Sequence, residues 1–561
     1  MTPFTRFLIR AAATYILLFI PDLFLFAADY RTTGFKRSTA IVTIIMLASL
    51  LAVMKRSPLK TFLIFAICIQ QAIWCGSIVY FGDILTPDKL LLSTLEHQDV
   101  FLELKSIAEL LWPIMAVQLF TLIGLLLLHS KDVEDNISPR QLATGFAIIL
   151  VCGLPIRWVR NFPAIRWVQS EWYVFSPSLS NATATAFPQA VAATLDAAAS
   201  KAKWPDINVP PLTFGPSRAA TEPTIVVVVM GESINPLQLS LFDPTKKTTP
   251  RLQDLSVAPP KGFELISRIG FAAGVATLAS VPQFIRPSHD PLQIPSKNLF
   301  DIAQDNKFDS WYLSTQSGTF LSVAGGAKSA RRVVTSELMS PGKKSLGDAY
   351  LVELQREALA DRSSHSFVFL HQRTNHAPYT GYCAEQAAPS GPDDSDRILD
   401  YQSGLLCWDS NVRQLLDQLR DFPGAVYAFV TSDHNEFMDE DGLWGHTHLM
   451  LENAMVPMLL FTNRPQSTIA RGFKSRAMMS AFAFTQDVSS ALGTELIAAG
   501  FPDDVMLLNG TLQLGVGTSI FAKRLSPWNF ETKTFVGGQE TSRTVIDIPE
   551  ARQADSRDPQ G

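Results

Sequence analysis

The sequence contains little charge for its length. Charged residues make up 18% of its 561 residues, hydrophobic residues make up 47%, and the formal net charge at pH 7 is −5. Globular domains carry about 25% charged residues. No basic block suited to binding phosphate backbones stands out, so we expect no nucleic-acid partner.

Cysteine is also scarce, with five residues in the chain. Cys68, Cys75 and Cys152 lie in long apolar runs, where we interpret them as apolar filler. Cys383 and Cys407 are the two that remain. They can form at most one disulfide, which is permitted if their part of the chain lies outside the cytoplasm.

The apolar residues are concentrated in the first 160 positions, which contain five long runs. These runs are Ala11–Ala28, Thr39–Met54, Thr61–Phe81, Leu110–Leu128 and Leu142–Val159. Each is near the ~20 residues that cross a bilayer as a helix. We therefore predict a transmembrane domain with five helices over residues 1–159. The Lys and Arg distribution favours a cytoplasmic N-terminus, which places the chain after Val159 on the outer side of the membrane.

The remainder of the chain changes character twice. Residues 160–222 are rich in Ala, Pro and Ser, which indicates a linker and interfacial segment. Five short apolar runs then alternate with helical patterns, and they cover residues 224–231, 309–315, 366–372, 426–432 and 457–463. This alternation predicts an α/β domain with a mostly parallel sheet flanked by helices. The polar stretch 541–561 is predicted to be a flexible tail.

Polar side chains of matching chemistry follow three of these predicted strands. Glu232 follows the first strand, His376 lies just beyond the third, and Asp433 and His434 follow the fourth, with His446 twelve residues later. Open α/β sheets bind ligands beyond the carboxyl ends of their strands. Carboxylates and imidazoles together suit zinc, with manganese as the alternative. The set predicts a metal site.

Each of these residues alone has an ordinary structural explanation. Glu232 could cap the helix after its strand, and His376 could bond a backbone carbonyl. His371 lies at the end of its strand, and we interpret it as structural. His448, two residues beyond His446, is an alternative to it.

The small-residue segment 270–287, "GFAAGVATLASVPQFIRP", offers a nucleophile. Thr277 and Ser280 carry its hydroxyl groups, and metal coordination can activate a hydroxyl at a helix start. From this segment alone, a helix with incidental hydroxyls is the simpler interpretation.

Several segments resemble motifs of the bacterial phosphoethanolamine transferases of the lipid A and surface glycan type, in the alkaline phosphatase–sulfatase superfamily. They are "VVVVMGESINPLQLSLFDPTKKTTPRL", "ATLASVP", "NHAPY", and "SDHNE" followed by "GLWGH". The resemblance implies an alkaline phosphatase-like fold and a multi-pass protein of the bacterial inner membrane. Residues 223–540 would then form a sulfatase-like catalytic domain in the periplasm.

The resemblance also implies a mechanism. Glu232, Thr277, Asp433 and His434 would hold a metal ion, usually zinc. His376 and His446 would bind substrate phosphate or a second metal. Thr277 would attack phosphatidylethanolamine, and its phosphoethanolamine group would pass to a lipid A, lipopolysaccharide core or other surface glycan acceptor.

Three alternatives stay open at this stage. A phosphoglycerol transferase of the same superfamily would share the fold, the threonine and the metal. A sulfatase-like hydrolase needs Arg in its nucleophile motif, where this chain has Phe284. An inactive membrane scaffold need not bind zinc, so metal analysis would separate it from the enzymes.

Overall fold

The computed structural model describes four stretches of the chain, residues 3–27, 47–81, 108–130 and 209–548. Within the last stretch it leaves out residues 219, 291–294, 319, 322–323, 325, 329, 361–364, 378, 380–381, 384–393, 439–443, 447–449, 477, 511–517 and 537–538. Contacts divide the chain into two compact units. One is Met1–Asp196 with Met438–Trp444, and the other is Ala197–Phe437 with Gly445–Gly561.

Between residues 3 and 130, the described part of the first unit is mostly helical. Its helices are α1 (Pro3–Ala27), α2 (Pro58–Phe81) and α3 (Ala108–Leu128), and residues 47–53 are helical as well. Leu18, Ile64 and Leu125 meet in the buried core between these helices. Polar side chains add contacts between helices, since the Gln71 amide donates to the Leu18 carbonyl at 2.8 Å.

The predicted membrane domain with five helices is not confirmed. Helices α1, α2 and α3 coincide with the first, third and fourth predicted runs, and the second run is helical where it is described. Leu142–Val159 lies outside the described residues. Among the described helices, one stretch, Leu111–Leu128, is long and apolar enough to cross a membrane by length and composition.

From residue 209 onward, the described residues contain fifteen strands. They are β1 (Thr213–Phe214), β2 (Thr224–Gly231), β3 (Glu264–Phe271), β4 (Asp309–Ser314), β5 (Arg332–Val334), β6 (Ser366–His371), β7 (Ala425–Ser432), β8 (Phe437–Met438), β9 (Trp444–Gly445), β10 (Met455–Thr462), β11 (Leu496–Ile497), β12 (Val505–Asn509), β13 (Thr518–Ser526), β14 (Asn529–Val536) and β15 (Gln539–Asp547). Seven of them form the main sheet, in the order β3-β10-β7-β2-β6-β4-β5.

The main sheet is mostly parallel, as the sequence predicted. Strand β2 pairs in parallel with β6 and β7, and β4 pairs in parallel with β5 and β6. Strand β10 alone among these runs antiparallel to its neighbours β3 and β7. Strands β2, β6 and β10 are buried along their whole length. Their runs of Val, Ile, Leu and Phe suit strands covered on both faces.

Helices surround this sheet. From residue 209 onward they are α4 (Pro250–Val257), α5 (Thr277–Ile285), α6 (Leu299–Asp305), α7 (Pro341–Lys344), α8 (Ala349–Ala358), α9 (Asp394–Asp417), α10 (Thr468–Ser475) and α11 (Ala481–Ala491). Helix α8 packs against β4 and β6, α10 packs against β3 and β10, and α11 packs against β2. Short 3₁₀ turns lie at Pro236–Gln238, Ser336–Leu338 and Glu452–Ala454.

Two predicted segment boundaries differ from the structure. Strand β15 extends to Asp547 and pairs with β14, so residues 541–547 belong to an antiparallel sheet in the order β12-β13-β14-β15 and not to a flexible tail. Thr544, Val545 and Ile546 are residues that favour a strand, although the stretch is poor in apolar residues overall. Within the predicted linker 160–222, the described strand β1 pairs with β11.

Candidate metal centre

The four residues predicted to hold a metal lie close together at the carboxyl ends of two central strands of the main sheet. Strands β2 and β7 pair in register up to Gly231 and Ser432, so Glu232 and the Asp433–His434 pair emerge side by side. Thr277 is the first residue of helix α5. All four side chains are buried. The strand ends and the helix start therefore meet at one point.

Short distances join these four side chains. Thr277 Oγ1 lies 3.1 Å from His434 Nε2 and 3.3 Å from Glu232 Oε1. His434 Nε2 lies 3.3 Å from Glu232 Oε1 and 3.2 Å from Asp433 Oδ2. Two carboxylates, an imidazole and a hydroxyl group thus share one small volume.

The electrostatics of this cluster favour an added positive charge. Burial would raise the pKa of Glu232, but the hydrogen bond and charge of His434 hold it well below its ordinary value. Burial, reinforced by the charge of Glu232, raises the pKa of Asp433 to about 7. Burial alone would lower the pKa of His434, but the charge of Asp433 helps to raise it to about 10. Two carboxylates this close raise the pKa of one of them, and a bound cation would favour the charged form of both.

The donor set fits a metal ion. His434 Nδ1 lies 3.2 Å from the carbonyl oxygen of Asn435, so Nδ1–H can donate there, and a bound metal ion would replace the proton on Nε2 beside the carboxylates. Metal-ligating histidines are commonly oriented in this way. Asp433 Oδ2 is buried and accepts no hydrogen bond from the described residues. Oxygen and nitrogen donors of this kind suit zinc.

Ser233 supports both carboxylates from an unusual backbone conformation. Its φ angle is 57°, in the left-handed region. In this conformation its amide donates to Asp433 Oδ1 at 3.1 Å, and its hydroxyl donates to Glu232 Oε1 at 3.1 Å. Strained residues of this type are often found at functional sites.

Gln316 and His371 form a second layer around Glu232. The Gln316 amide donates to Glu232 Oε2 and to the Gln372 carbonyl, and it lies 3.3 Å from His371 Nε2. Burial lowers the pKa of His371 to about 4, so its imidazole is neutral. Ligand atoms of Glu232, His371 and Asp433 all lie within 4.8 Å of one another. His371, which we interpreted as structural, therefore borders the cluster.

His376 and His446 lie beside the cluster. The His446 ring is 4.3 Å from the His434 ring and 6.3 Å from the His376 ring, between centroids. Glu436 Oε2 lies 3.3 Å from His446 Nδ1, and Tyr379 donates to Glu436 Oε1 at 2.6 Å. His448 lies outside the described residues.

Sequence reasoning did not identify several of these supporting residues. Ser233, Gln316, Tyr379 and Glu436 have common side chains, and their roles depend on the folded positions of their partners. One signal was present for His371, since it ends β6 opposite Met230 of β2, which lies two residues before Glu232.

Cys383 and Cys407 form a disulfide in the structure. Cys407 lies in helix α9, and Cys383 follows the segment that contains His376 and Tyr382. Cys68 and Cys75 of the first unit are buried and are not disulfide-bonded. The bond fastens the segment after His376 to a long helix of the same unit.

Comparisons with known proteins found a matching family model and similar folds. Residues 224–494 match the family model described as Sulfatase. The integral membrane lipooligosaccharide phosphoethanolamine transferase A (EptA) from Neisseria meningitidis is similar in structure, with a TM-score of 0.59 at 14% identity, over 86% of this chain and 95% of that chain. This likeness shows an alkaline phosphatase-like fold.

Two further proteins are similar over shorter spans. The C-terminal periplasmic domain of EcEptC from Escherichia coli, in complex with Zn, has a TM-score of 0.45 at 16% identity, over 62% of this chain and 100% of that chain. A protein of E. coli strain K12 named "Putative transferase YhbX" is 24% identical over 212 residues. That alignment spans 37% of this chain and 37% of the relative's length.

Proposed function

We propose that this chain, in which residues 224–494 form a sulfatase-family domain, is a metal-dependent phosphoethanolamine transferase. Its donor would be phosphatidylethanolamine. Its acceptor would be a hydroxyl or phosphate group of lipid A, the lipopolysaccharide core or another surface glycan. Residues 223–547, which include all of strand β15, would form the catalytic domain.

One observation carries this proposal. The Thr277 hydroxyl lies 3.1 to 3.4 Å from the imidazole of His434 and both oxygens of Glu232. A hydroxyl with a merely structural role has no need of both a carboxylate and an imidazole at this distance. Such surroundings favour removal of its proton, which makes an ordinary alcohol nucleophilic.

Glu232, Thr277, Asp433 and His434 would hold the metal ion. A bound zinc ion would supply a positive charge that offsets the phosphoryl charge and lowers the pKa of the Thr277 hydroxyl. In the first step, the Thr277 Oγ1–phosphorus bond forms, the phosphorus–glycerol oxygen bond breaks, and diacylglycerol leaves with a proton. In the second step, an acceptor oxygen bonds to the phosphorus, the Thr277 Oγ1–phosphorus bond breaks, and Thr277 receives the proton that the acceptor loses.

The neighbouring residues have supporting roles in this reaction. The amides of Thr277 and Leu278, at the start of α5, would bind a phosphoryl oxygen beside Thr277. His376 and His446 would bind the substrate phosphate or a second metal. Glu436 would orient His446 through the contact between its Oε2 atom and His446 Nδ1.

We also propose a location in the bacterial inner membrane, with the catalytic domain in the periplasm. The apolar stretch Leu111–Leu128 supports membrane attachment. The disulfide between Cys383 and Cys407 supports an oxidising compartment for the catalytic unit. Such an arrangement would let the site act on a lipid donor within the membrane.

Replacing the nucleophile tests the reaction. We expect Thr277→Ala to abolish diacylglycerol release from phosphatidylethanolamine in detergent micelles, because it removes the attacking hydroxyl. It also removes one buried methyl group, so the free energy of unfolding should fall by only about 1 kcal/mol. Thr277→Ser keeps a hydroxyl and should retain measurable release. Mass spectrometry of the peptide containing Thr277 should find a phosphoethanolamine adduct in the wild type. Full activity of Thr277→Ala would refute the assignment.

The same assay separates the alternative functions. A phosphoglycerol transferase would cleave phosphatidylglycerol in preference to phosphatidylethanolamine. An inactive scaffold would cleave neither and need not contain zinc by elemental analysis. Mass spectrometry of surface lipids and glycans from cells with and without the protein would identify the acceptor.

A further inference from the structure

A second buried carboxylate, Asp348, lies outside the metal cluster. It immediately precedes helix α8, and its side chain is fully buried. Its oxygens accept hydrogen bonds from the hydroxyl groups of Thr315 and Thr374. They also accept from the backbone amides of Arg373, at 2.9 Å, and Thr374, at 2.8 Å. Asp348 therefore connects residues that follow two neighbouring strands, β4 and β6.

The residues that Asp348 holds begin the turn that carries His376. The His376 amide donates to the Arg373 carbonyl at 3.0 Å, which closes the turn Arg373–His376. Asp348 binds the first two amides of this turn, and His376 is two residues beyond Thr374. Hydrogen bonds from backbone amides to a carboxylate are stronger than neutral ones. The position of His376 thus depends on the carboxylate of Asp348.

The backbone just before Asp348 is also tightly packed, at Gly347. Gly347 has a φ of 53°, and a Cβ placed there would come within 2.0 Å of the Tyr382 carbonyl oxygen. Gly347 also forms a β-bridge with Cys383, the disulfide-bonded residue. Asp348 cannot shift away from the turn without disturbing this close backbone contact.

We propose that Asp348 is a positioning residue, which holds the Arg373–His376 turn where His376 can bind a phosphate group beside Thr277. This inference rests on the proposed function for its substrate. It also applies to any phosphate ligand at the site. The role of Asp348 would be to fix the turn in advance, so that binding a substrate does not have to order it.

The test compares two matched variants of the full chain, loaded with zinc in detergent micelles. Asp348→Asn removes the charge that holds the turn. Asp409→Asn is the control, because Asp409 is also fully buried and accepts two consecutive backbone amides, those of Arg251 and Leu252, at 2.9 Å each. Those amides begin helix α4, whereas the Asp348 partners begin the His376 turn.

Three measurements follow the turn, the metal and the ligand separately. In Asp348→Asn, hydrogen exchange at the Arg373 and Thr374 amides should accelerate by roughly 10- to 100-fold, because a charged acceptor is lost. The affinity for inorganic phosphate and kcat for phosphatidylethanolamine should each fall roughly 10- to 100-fold. The zinc content should match the wild type. Asp409→Asn should leave all of these values unchanged.

The outcomes separate this inference from the proposed function. If phosphatidylethanolamine is not cleaved by the wild type, but Asp348→Asn still frees the turn and weakens phosphate binding, the proposed function fails and the role of Asp348 stands. If the wild type does cleave the lipid, and Asp348→Asn behaves like the control, the inference is overturned. The absence of phosphate binding by the wild type would also overturn it.

A milder variant covers the case in which Asp348→Asn does not fold. Thr374→Val removes one hydroxyl donor to Asp348 and keeps the backbone amide. It should accelerate exchange at Thr374 and weaken phosphate binding by less than Asp348→Asn would. Wild-type values for both measurements in Thr374→Val would contradict the inference.

Discussion

At the scale of single residues, Ser233 shows how the centre tolerates two buried carboxylates. One residue donates its amide to Asp433 and its hydroxyl to Glu232. It can reach both because its backbone adopts the left-handed conformation, which costs about 1–2 kcal/mol for a residue with a Cβ. The hydrogen bonds to the two carboxylates offset this cost.

Two substitutions of Ser233 distinguish the effect of its hydroxyl group from the effect of its backbone conformation. Both Ser233→Ala and Ser233→Gly lose the hydrogen bond to Glu232, so we expect each to weaken zinc affinity by roughly 10- to 100-fold in competition titrations. Glycine relieves the backbone strain, although it adds freedom to the unfolded chain. Ser233→Gly should therefore have a free energy of unfolding about 1 kcal/mol above that of Ser233→Ala. Equal stabilities would argue against strain at this residue.

The sequence predicted the members of this centre better than their supports. Glu232, Asp433 and His434 stand directly after apolar strands, so their meeting follows from the parallel sheet. Ser233, Gln316 and Asp348 have no such marker. Their roles arise from a left-handed backbone, or from partners more than twenty residues away, and neither can be read from local sequence.

At the scale of elements, the position of Thr277 depends on the loop between β3 and α5. Gly274 in this loop forms a β-bridge with Asn509 at the end of β12. A Cβ on Gly274 would approach the Asn509 carbonyl oxygen to 2.7 Å and Ala279 of α5 to 2.9 Å. The start of α5, and with it the Thr277 hydroxyl, is thus set by close packing around a glycine.

Adding one methyl group at this glycine tests the packing. Gly274→Ala should lower the free energy of unfolding by about 1–3 kcal/mol, because the loop must move away from Asn509. It should also reduce diacylglycerol release, since Thr277 would shift with the helix. Thermal unfolding and the lipid assay measure these two effects.

A matched glycine provides the control. Gly472 lies inside helix α10, and a Cβ there would meet nothing within 4 Å. Gly472→Ala should raise the free energy of unfolding by about 0.5–1 kcal/mol and leave activity unchanged. If both alanine variants had the same effect, the packing at Gly274 would not explain the position of α5.

Elements were predicted well where they are buried and less well where they are half exposed. The apolar run of β2 covers the same residues, 224–231, in sequence and structure. Strand β3 was not recognised, because "ELISRIGF" places Glu264, Ser267 and Arg268 among its apolar residues. It is an edge strand that pairs with β10 alone in the main sheet, so part of it remains accessible to solvent and polar side chains are tolerated.

At the scale of the whole molecule, the cysteines differ between the two units. Cys68 and Cys75 of the first unit are buried thiols, whereas Cys383 and Cys407 of the second unit are bonded. Disulfides persist in oxidising compartments and are rare in the cytoplasm. This distribution agrees with the proposed placement of the catalytic unit in the periplasm.

Counting reactive thiols tests this placement. In denatured protein taken directly from cells, alkylation should label three of the five cysteines, Cys68, Cys75 and Cys152, because the other two are paired. Reduction before alkylation should raise the number to five. Mass spectrometry of the intact chain measures both values. Five labelled cysteines without reduction would indicate a catalytic unit exposed to a reducing compartment.

The β-bridge between Gly274 and Asn509 determines how far the chain can be shortened from its C-terminal side. Every side chain assigned here to the chemistry precedes residue 447, and the sulfatase match ends at residue 494. A fragment cut at that point would retain all of its ligands. It would lose the Asn509 backbone, which forms hydrogen bonds with the backbone of Ala273 and Val275 on either side of Gly274. Strand β12 of the last sheet thus holds the loop before Thr277 in place. A catalytic fragment that folds by itself must extend at least through Asn509.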